Sequence, residues 1–192
     1  MKATHKLRGL LLILTALLAI SCGDEAVPKP KAFLRLDYTI ADYNLFNSSC
    51  PYSFGYNEFA RVKHKGQCNF TIEYPKMKAT IYITYKPVNN NLDKLLRDAE
   101  ELTYKHVIKA DAIETQPFIN RENKVYGIFS QVGGDAATNA QFYVTDSTRH
   151  FLTASMYFYA KPNFDSVMPA ASYIKEDMKN LMETIKWKWF FL

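Results

Sequence analysis

Apolar and polar residues alternate along much of the chain, and the alternation is most regular at 78–86. The apolar positions of this segment share one face of an extended backbone, which predicts a strand with one buried side. They are Ala79, Ile81, Ile83 and Tyr85. Similar patterns, rich in aromatic and β-branched residues, predict strands at 33–38, 52–63, 68–74, 112–119, 124–132, 139–145 and 151–160. The later strands follow one another through short polar turns, so we expect an antiparallel meander.

Two other segments repeat apolar residues at every third or fourth position, which is typical of amphipathic helices. The first runs from Leu92 to Val107 and follows three asparagines that can cap it. The second is capped at Asp165 or Ser166, has Pro169 in its first turn and continues to Ile185. The sequence therefore predicts an α+β fold, an antiparallel β-sheet with two long amphipathic helices packed on it. This order of elements is similar to the Mog1/PsbP-like sandwich, a fold-level analogy that implies no function.

The N-terminal segment has the pattern of a bacterial lipoprotein export signal. Three basic residues precede a twelve-residue apolar run at 9–20, and Ser21 and Cys22 follow it. This run is shorter than the roughly 20 residues of an ordinary transmembrane helix. Cleavage before Cys22 would allow lipid to be attached there, whereas an ordinary secretory signal would leave Cys22 free. We predict a signal peptide at 1–21, a lipid-anchored tether at 22–31 and a single α+β domain at 32–192.

Charge and cysteine content limit the possible partners of the exported chain. The formal charge of +5 falls to +2 once the three basic residues of the signal are removed, and no basic block of the kind that binds nucleic acid is present. In an oxidising compartment Cys50 and Cys68 are expected to form a disulfide. The alternative is two buried free thiols. The spacing of these cysteines does not suggest zinc binding.

Few residues suggest catalysis. His64, His106 and His150 could bind a metal only if distant segments converge, and none of them forms a spaced metal-binding pair. The run Asp146-Ser147-Thr148-Arg149-His150 contains the residue types of a catalytic triad. Short connections between strands favour the same residues, so we interpret the run as a turn. We expect neither an enzyme nor a cofactor.

Three regions are candidates for contact with a partner protein. The first follows the first predicted helix and contains His106, Lys109 and Asp111. The second is the predicted turn, with Asp146, Ser147 and His150. The third is the C-terminal WKWFFL at 187–192, which contains Trp187 and Trp189. These rings could be buried in a last strand, or they could dock on a partner or a membrane surface.

Several longer strings resemble one known family along almost the whole exported chain. They are CPYSF at 50–54, CNFTIEYP at 68–75, ITYKPVNNNL at 83–92, YKHVIKADAIE at 104–114, QFYVTDSTRHFL at 141–152 and METIKWK at 182–188. On these strings the chain closely resembles the gliding motility lipoprotein GldD family. Met156 and the WFFL after Lys188 depart from the family's usual pattern.

The resemblance implies a membrane-anchored lipoprotein of the cell envelope, with the lipid on Cys22 and the domain facing the periplasm or the outside. It also implies a non-catalytic assembly or structural role in gliding motility and type IX secretion, with other components of that machinery as partners. It brings no established active site. Two alternatives stay open, a module that binds a small ligand or lipid, and a metal-assisted hydrolase using His106, His150 and Asp146.

Overall fold

Two antiparallel sheets and two helices make up the part of the chain that the computed structural model describes, residues 38–104, 112–133, 138–159 and 164–188. The strands are β1 (Tyr43–Asn47), β2 (Tyr52–Asn57), β3 (Arg61–His64), β4 (Phe70–Tyr74), β5 (Ala79–Pro87), β6 (Ala112–Asn120), β7 (Val125–Gly133), β8 (Thr138–Thr145), β9 (His150–Phe158) and β10 (Lys186–Trp187). The helices are α1 (Leu92–Tyr104) and α2 (Phe164–Thr184), and a 3-10 turn spans Pro75–Met77. The predicted α+β class is confirmed.

The larger sheet has seven strands in the order β3-β4-β5-β9-β8-β7-β6, and the smaller has three in the order β1-β2-β10. Strands β6 to β9 pair consecutively and antiparallel, which confirms the predicted meander. Strand β5 pairs with β9 over nine positions, from Ala79 opposite Phe158 to Pro87 opposite His150. Along the direction of these strands, the larger sheet therefore has one end near Ala79 and Phe158 and the other near Pro87 and His150.

The core lies between one face of the larger sheet and a layer formed by α2 and the smaller sheet. Ala79, Ile81 and Ile83 are buried there, on the predicted apolar face of β5. Helix α2 adds Ile174, Met178 and Leu181, which follow its predicted stripe. On the opposite face of the sheet, α1 packs Leu95 and Ala99 against Phe151 of β9.

Helix α2 approaches β2 closely at Gly55. The N–H of Gly55 donates to Oγ1 of Thr184 at 2.8 Å. A Cβ atom at residue 55 would lie 3.0 Å from that oxygen and 3.0 Å from Oδ1 of Asn180. A side chain at residue 55 would therefore require the side chains of Thr184 and Asn180 to shift by a few tenths of an ångström.

Two local predictions were wrong, and one strand was missed. Residues 52–63 form two strands in different sheets and not one strand, because the chain turns at Asn57. The carbonyl of Asn57 accepts the N–H of Ala60 at 3.0 Å, and its Oδ1 accepts the N–H of Phe59 at 3.0 Å.

Strand β1 was not predicted. Helix α2 begins at Phe164, so Pro169 lies inside the helix rather than in its first turn. The strand predicted at 33–38 lies outside the described residues except for Tyr38, which is not in a strand.

The predicted disulfide between Cys50 and Cys68 is present, with the two Cα atoms 5.5 Å apart. It joins the segment that leads into β2 to the loop before β4 and so links the two sheets. The hydroxyl of Tyr52 donates to the carbonyl of Cys68 at 2.7 Å and reinforces the same connection. Within the described ranges, neither helix combines the length and hydrophobicity that crossing a bilayer requires.

Candidate interaction site

The turn between β8 and β9 is built around the buried side chain of Asp146. Its Oδ1 accepts the backbone N–H groups of Thr148, Arg149 and His150 at 3.0, 2.8 and 2.8 Å, and its Oδ2 accepts the hydroxyl of Thr148 at 3.0 Å. Ser147 takes a left-handed backbone with φ of 67°. An aspartate that bonds to the next few N–H groups is a common way to fix a turn.

Two opposing effects act on the carboxyl group of Asp146. Burial alone would raise its pKa, because a buried charge loses its hydration. The hydrogen bonds from Arg149, His150 and Thr148 outweigh this effect and hold the pKa below its ordinary value. Asp146 is therefore ionised near neutral pH, and its charge holds the turn in one conformation.

His150 lies behind the turn in a cluster of aromatic rings. Its ring stacks on Trp187, with ring centroids 5.0 Å apart and planes 15° apart. Its Nδ1 lies 2.9 Å from the hydroxyl oxygen of Tyr85. Burial lowers the pKa of His150, although the nearby charge of Asp146 acts in the opposite direction. His150 is therefore neutral near pH 7 and serves as a packed ring in this cluster.

The C-terminal strand β10 fixes the other side of the cluster. Nε1 of Trp187 donates to the carbonyl of Lys124 at 3.0 Å, in the connection between β6 and β7. The N–H of Lys188 donates to the carbonyl of Pro51 at 2.8 Å, and Nζ of Lys188 bonds to the carbonyl of Ser48. This end of the larger sheet is therefore tied to the smaller sheet.

An open cleft of about 770 Å³ separates the turn from the start of α1. Ser147 and Thr148 form one wall, and the other wall includes Asn89, Asn90 and Asp93. The N–H of Val88 donates to the carbonyl of Arg149 at 2.8 Å and fixes the separation of the two walls. We name this surface the turn cleft. It is polar, exposed and held by a fixed backbone.

The structure separates the predicted contact residues into three groups. Asp146, His150 and Trp187 have buried side chains, so they support the surface and do not form it. Ser147 is exposed in the turn cleft. The remaining contact candidates lie outside the described residues; they are His106, Lys109, Asp111 and Trp189. Cys22, the predicted lipidation site, also lies outside them. Contact with a partner stays a prediction.

The histidines proposed as metal ligands do not converge among the described residues. His64 is exposed on β3 at an edge of the larger sheet, and His150 is buried at β9. His106 lies outside the described residues. Within those ranges, no group of three or more His, Cys, Asp or Glu side chains is arranged to hold a metal ion.

A second polar cluster was missed by sequence reasoning. Asp177 of α2 is 3% exposed and accepts hydrogen bonds from Tyr43 at 2.8 Å, Asn57 at 2.9 Å and Tyr74 at 2.9 Å. Asn57 Nδ2 also donates to the hydroxyl of Tyr173 at 2.9 Å. One feature of the sequence could have revealed this polar cluster. Asp177 lies on the buried stripe of α2, seven residues after Ala170 and four before Leu181, where a charged residue is unusual.

The model of the gliding motility lipoprotein GldD family matches residues 23–187. The match includes every described strand and helix, from β1 to β10. No curated protein matches the chain.

Proposed function

The chain belongs to the gliding motility lipoprotein GldD family, and on this premise we propose that it is a non-catalytic assembly component of the gliding machinery and its type IX secretion apparatus. Lipid on Cys22 anchors it to a membrane of the cell envelope, and residues 32–192 act as one domain on a short tether. Two helices packed on antiparallel sheets are compatible with a Mog1/PsbP-like sandwich, which belongs to the same proposal.

The turn cleft carries this proposal. A protein surface binds more tightly when its conformation is fixed before binding, because less conformational entropy is lost on association. The buried carboxylate of Asp146 fixes three consecutive N–H groups, and the exposed side chains of Ser147 and Thr148 stand on that frame. Such a surface supports recognition of a partner without any chemical step.

The polarity of the turn cleft indicates the kind of partner. Its walls present amide, hydroxyl and carboxylate groups from Asn89, Asn90, Asp93, Ser147 and Thr148. These groups suit a polar protein segment, since an apolar one would leave them without hydrogen-bond partners. A loop or chain end of another envelope protein therefore fits the turn cleft best.

Site-specific crosslinking in living cells tests the proposal. A photoreactive amino acid at Ser147 should capture a component of the motility or secretion machinery. The matched control is the same amino acid at Lys65, which is exposed in the loop between β3 and β4. Capture of no such component at Ser147, or equal capture at both positions, would refute a contact at the turn cleft.

A further inference from the structure

A pocket of about 200 Å³ lies at the end of the larger sheet opposite the turn cleft. Tyr74 lines it and pairs with Ala79, the first residue of β5. The last residue of β5, Pro87, pairs with His150 beside the turn. At about 3.3 Å per residue, the length of β5 separates the two sites by roughly 26 Å.

Two short turns and one helix form walls around this pocket. Phe59 stands on the turn that Asn57 fixes, and its ring is 51% exposed. The 3-10 turn Pro75–Met77 is closed by the N–H of Lys78, which donates to the carbonyl of Pro75 at 3.3 Å. Tyr173 of α2 forms the third wall. The pocket is therefore preformed and largely apolar inside.

Two cationic side chains, Arg61 and Lys76, line the pocket. Both residues are exposed, and neither forms an ion pair within the described ranges. Lys63 on the same strand differs, because its Nζ lies 2.7 Å from Glu73. The pocket thus combines apolar walls with two positive charges. Glu73 lies opposite Arg61 in the pairing of β3 with β4, but its carboxylate is bound by Lys63. This combination favours a ligand with an anionic group and an apolar part.

The hydroxyl groups of the two wall tyrosines do not compete for such a ligand. The hydroxyl of Tyr74 donates to Asp177 at 2.9 Å, and that of Tyr173 accepts from Asn57 at 2.9 Å. Both hydroxyl groups are therefore already hydrogen-bonded within the protein. Arg61 and Lys76 are the pocket's only charged lining residues among those described.

The pocket also lies where the chain arrives from the proposed lipid anchor. The ring of Tyr38, the first described residue, packs against Tyr173 with centroids 5.5 Å apart. Thr39 lines the pocket, and the adjacent Ile40 is 93% exposed. The 16 Cα-to-Cα steps from Cys22 to Tyr38 can reach at most about 55 Å when extended. A membrane that holds the anchor is therefore within reach of this end of the domain.

We propose that this pocket binds the phosphate head group of an anionic lipid in the membrane that holds the anchor. Arg61 and Lys76 contact the phosphate, and Phe59 and Ile40 lie in the interfacial layer, where apolar side chains next to cations are favoured. The proposal rests on the lipid anchor at Cys22 from the proposed function. It orients the domain so that the turn cleft faces away from the bilayer.

Tryptophan fluorescence of the acylated full protein tests this orientation. A Phe59→Trp chain is reconstituted at equal density into vesicles of phosphatidylcholine alone and into vesicles that also contain phosphatidylglycerol. The spectrum of the unsubstituted protein in the same vesicles is subtracted to remove Trp187 and Trp189. We expect the emission of the new tryptophan to shift to shorter wavelength only in the anionic vesicles.

Charge variants identify the groups responsible. Arg61→Gln with Lys76→Gln should abolish the shift, whereas the matched pair Lys94→Gln with Arg97→Gln, on exposed positions of α1, should retain it. Equal emission in both kinds of vesicle, or a shift unaffected by the first pair, would overturn the proposal.

A second measurement needs no tryptophan. Amide hydrogen exchange of the unsubstituted protein should slow at 58–61 and 76–78 only in anionic vesicles, and unchanged exchange there would equally overturn the proposal. Failure of the anchor itself is recognised separately, because mass spectrometry would then find Cys22 unmodified and the protein would not remain with either kind of vesicle.

Discussion

The hydroxyl of Tyr43 donates to Oδ1 of Asp177 at 2.8 Å, across 134 residues of sequence. Tyr43 belongs to β1 of the smaller sheet, and Tyr74, which donates to the other carboxylate oxygen, belongs to β4 of the larger sheet. One buried carboxylate therefore connects both sheets to α2. The polar contact adds to the apolar packing that holds the three layers together.

Removing one of these donors should destabilise the fold. Tyr74→Phe leaves the carboxylate of Asp177 with one hydrogen bond fewer in a buried place, and bonds to charged groups contribute about 1.5–3 kcal/mol each. We expect the free energy of unfolding in urea to fall by about 2 kcal/mol. Tyr56→Phe is the control, because the hydroxyl of Tyr56 has no hydrogen-bond partner among the described residues. An equal loss in both variants would contradict the role of the Asp177 contact.

The carboxyl group of Asp177 should make the stability of the fold depend on pH. Burial raises the pKa of Asp177, and the hydrogen bonds from Tyr43, Tyr74 and Asn57 offset this only in part. The folded chain therefore keeps this proton at pH values where the unfolded chain has lost it. The resulting stabilisation is complete below about pH 3.9, the ordinary aspartate pKa, and is lost as pH rises through the folded-state pKa.

Asp177→Asn cannot ionise and should lack this contribution. Urea unfolding of both chains at a series of pH values from about 4 to 7 measures it. We expect the stability of the unsubstituted chain to fall relative to that of the variant as pH rises. A difference between the two chains that stays constant over this range would contradict the raised pKa.

Asp146 should behave in the opposite way. Its hydrogen bonds lower its pKa in the folded chain, so its contribution to the stability of the fold is present above about pH 3.9 and is lost as pH falls through the folded-state pKa.

Asp146→Ala removes every acceptor for three N–H groups and should lower the free energy of unfolding by at least about 2 kcal/mol. Asp146→Asn keeps one acceptor oxygen and should cost less. Equal stability of the alanine and asparagine variants would show that these hydrogen bonds do not hold the turn.

Local sequence patterns predicted the strands and helices in which buried residues recur at regular spacing. The alternation at 78–86 predicted β5 and its buried residues Ala79, Ile81 and Ile83, because residues two apart on a strand meet the same face. The meander of β6 to β9 followed from short connections. Helix α2 was predicted from its stripe, although its first turn was placed too late.

Long-range contacts explain the features that the sequence did not reveal. Asn57 ends β2 with its own carbonyl and side chain, and it is held by Asp177, 120 residues away. The run Asp146 to His150 was correctly predicted as a turn because aspartate bonds to nearby N–H groups. The burial of His150 under Trp187 depends on β10 pairing with β2, a contact that no local pattern contains.

The disulfide should make the melting temperature of the protein sensitive to reductant. The bridge between Cys50 and Cys68 closes a loop with a sequence separation of 18, and a loop of this size stabilises the fold by about 3 kcal/mol in the chain-entropy model. Reductant should therefore lower the melting temperature of the unsubstituted chain. The double variant Cys50→Ala with Cys68→Ala should melt lower and should not respond to reductant. Identical melting of the unsubstituted chain with and without reductant would contradict this stabilisation.

The last prediction concerns the turn cleft in living cells. Asn89 is exposed on the wall opposite Ser147, so Asn89→Arg places a long cationic side chain in the cleft without removing a buried group. We expect unchanged melting and membrane fractionation but reduced spreading of colonies over a surface, because a partner would lose access to Ser147 and Thr148. Asn44→Arg is the matched control, since Asn44 is also an exposed asparagine but lies on β1, away from the turn cleft. Normal spreading of Asn89→Arg cells, or the same defect in Asn44→Arg cells, would exclude the turn cleft as the contact surface.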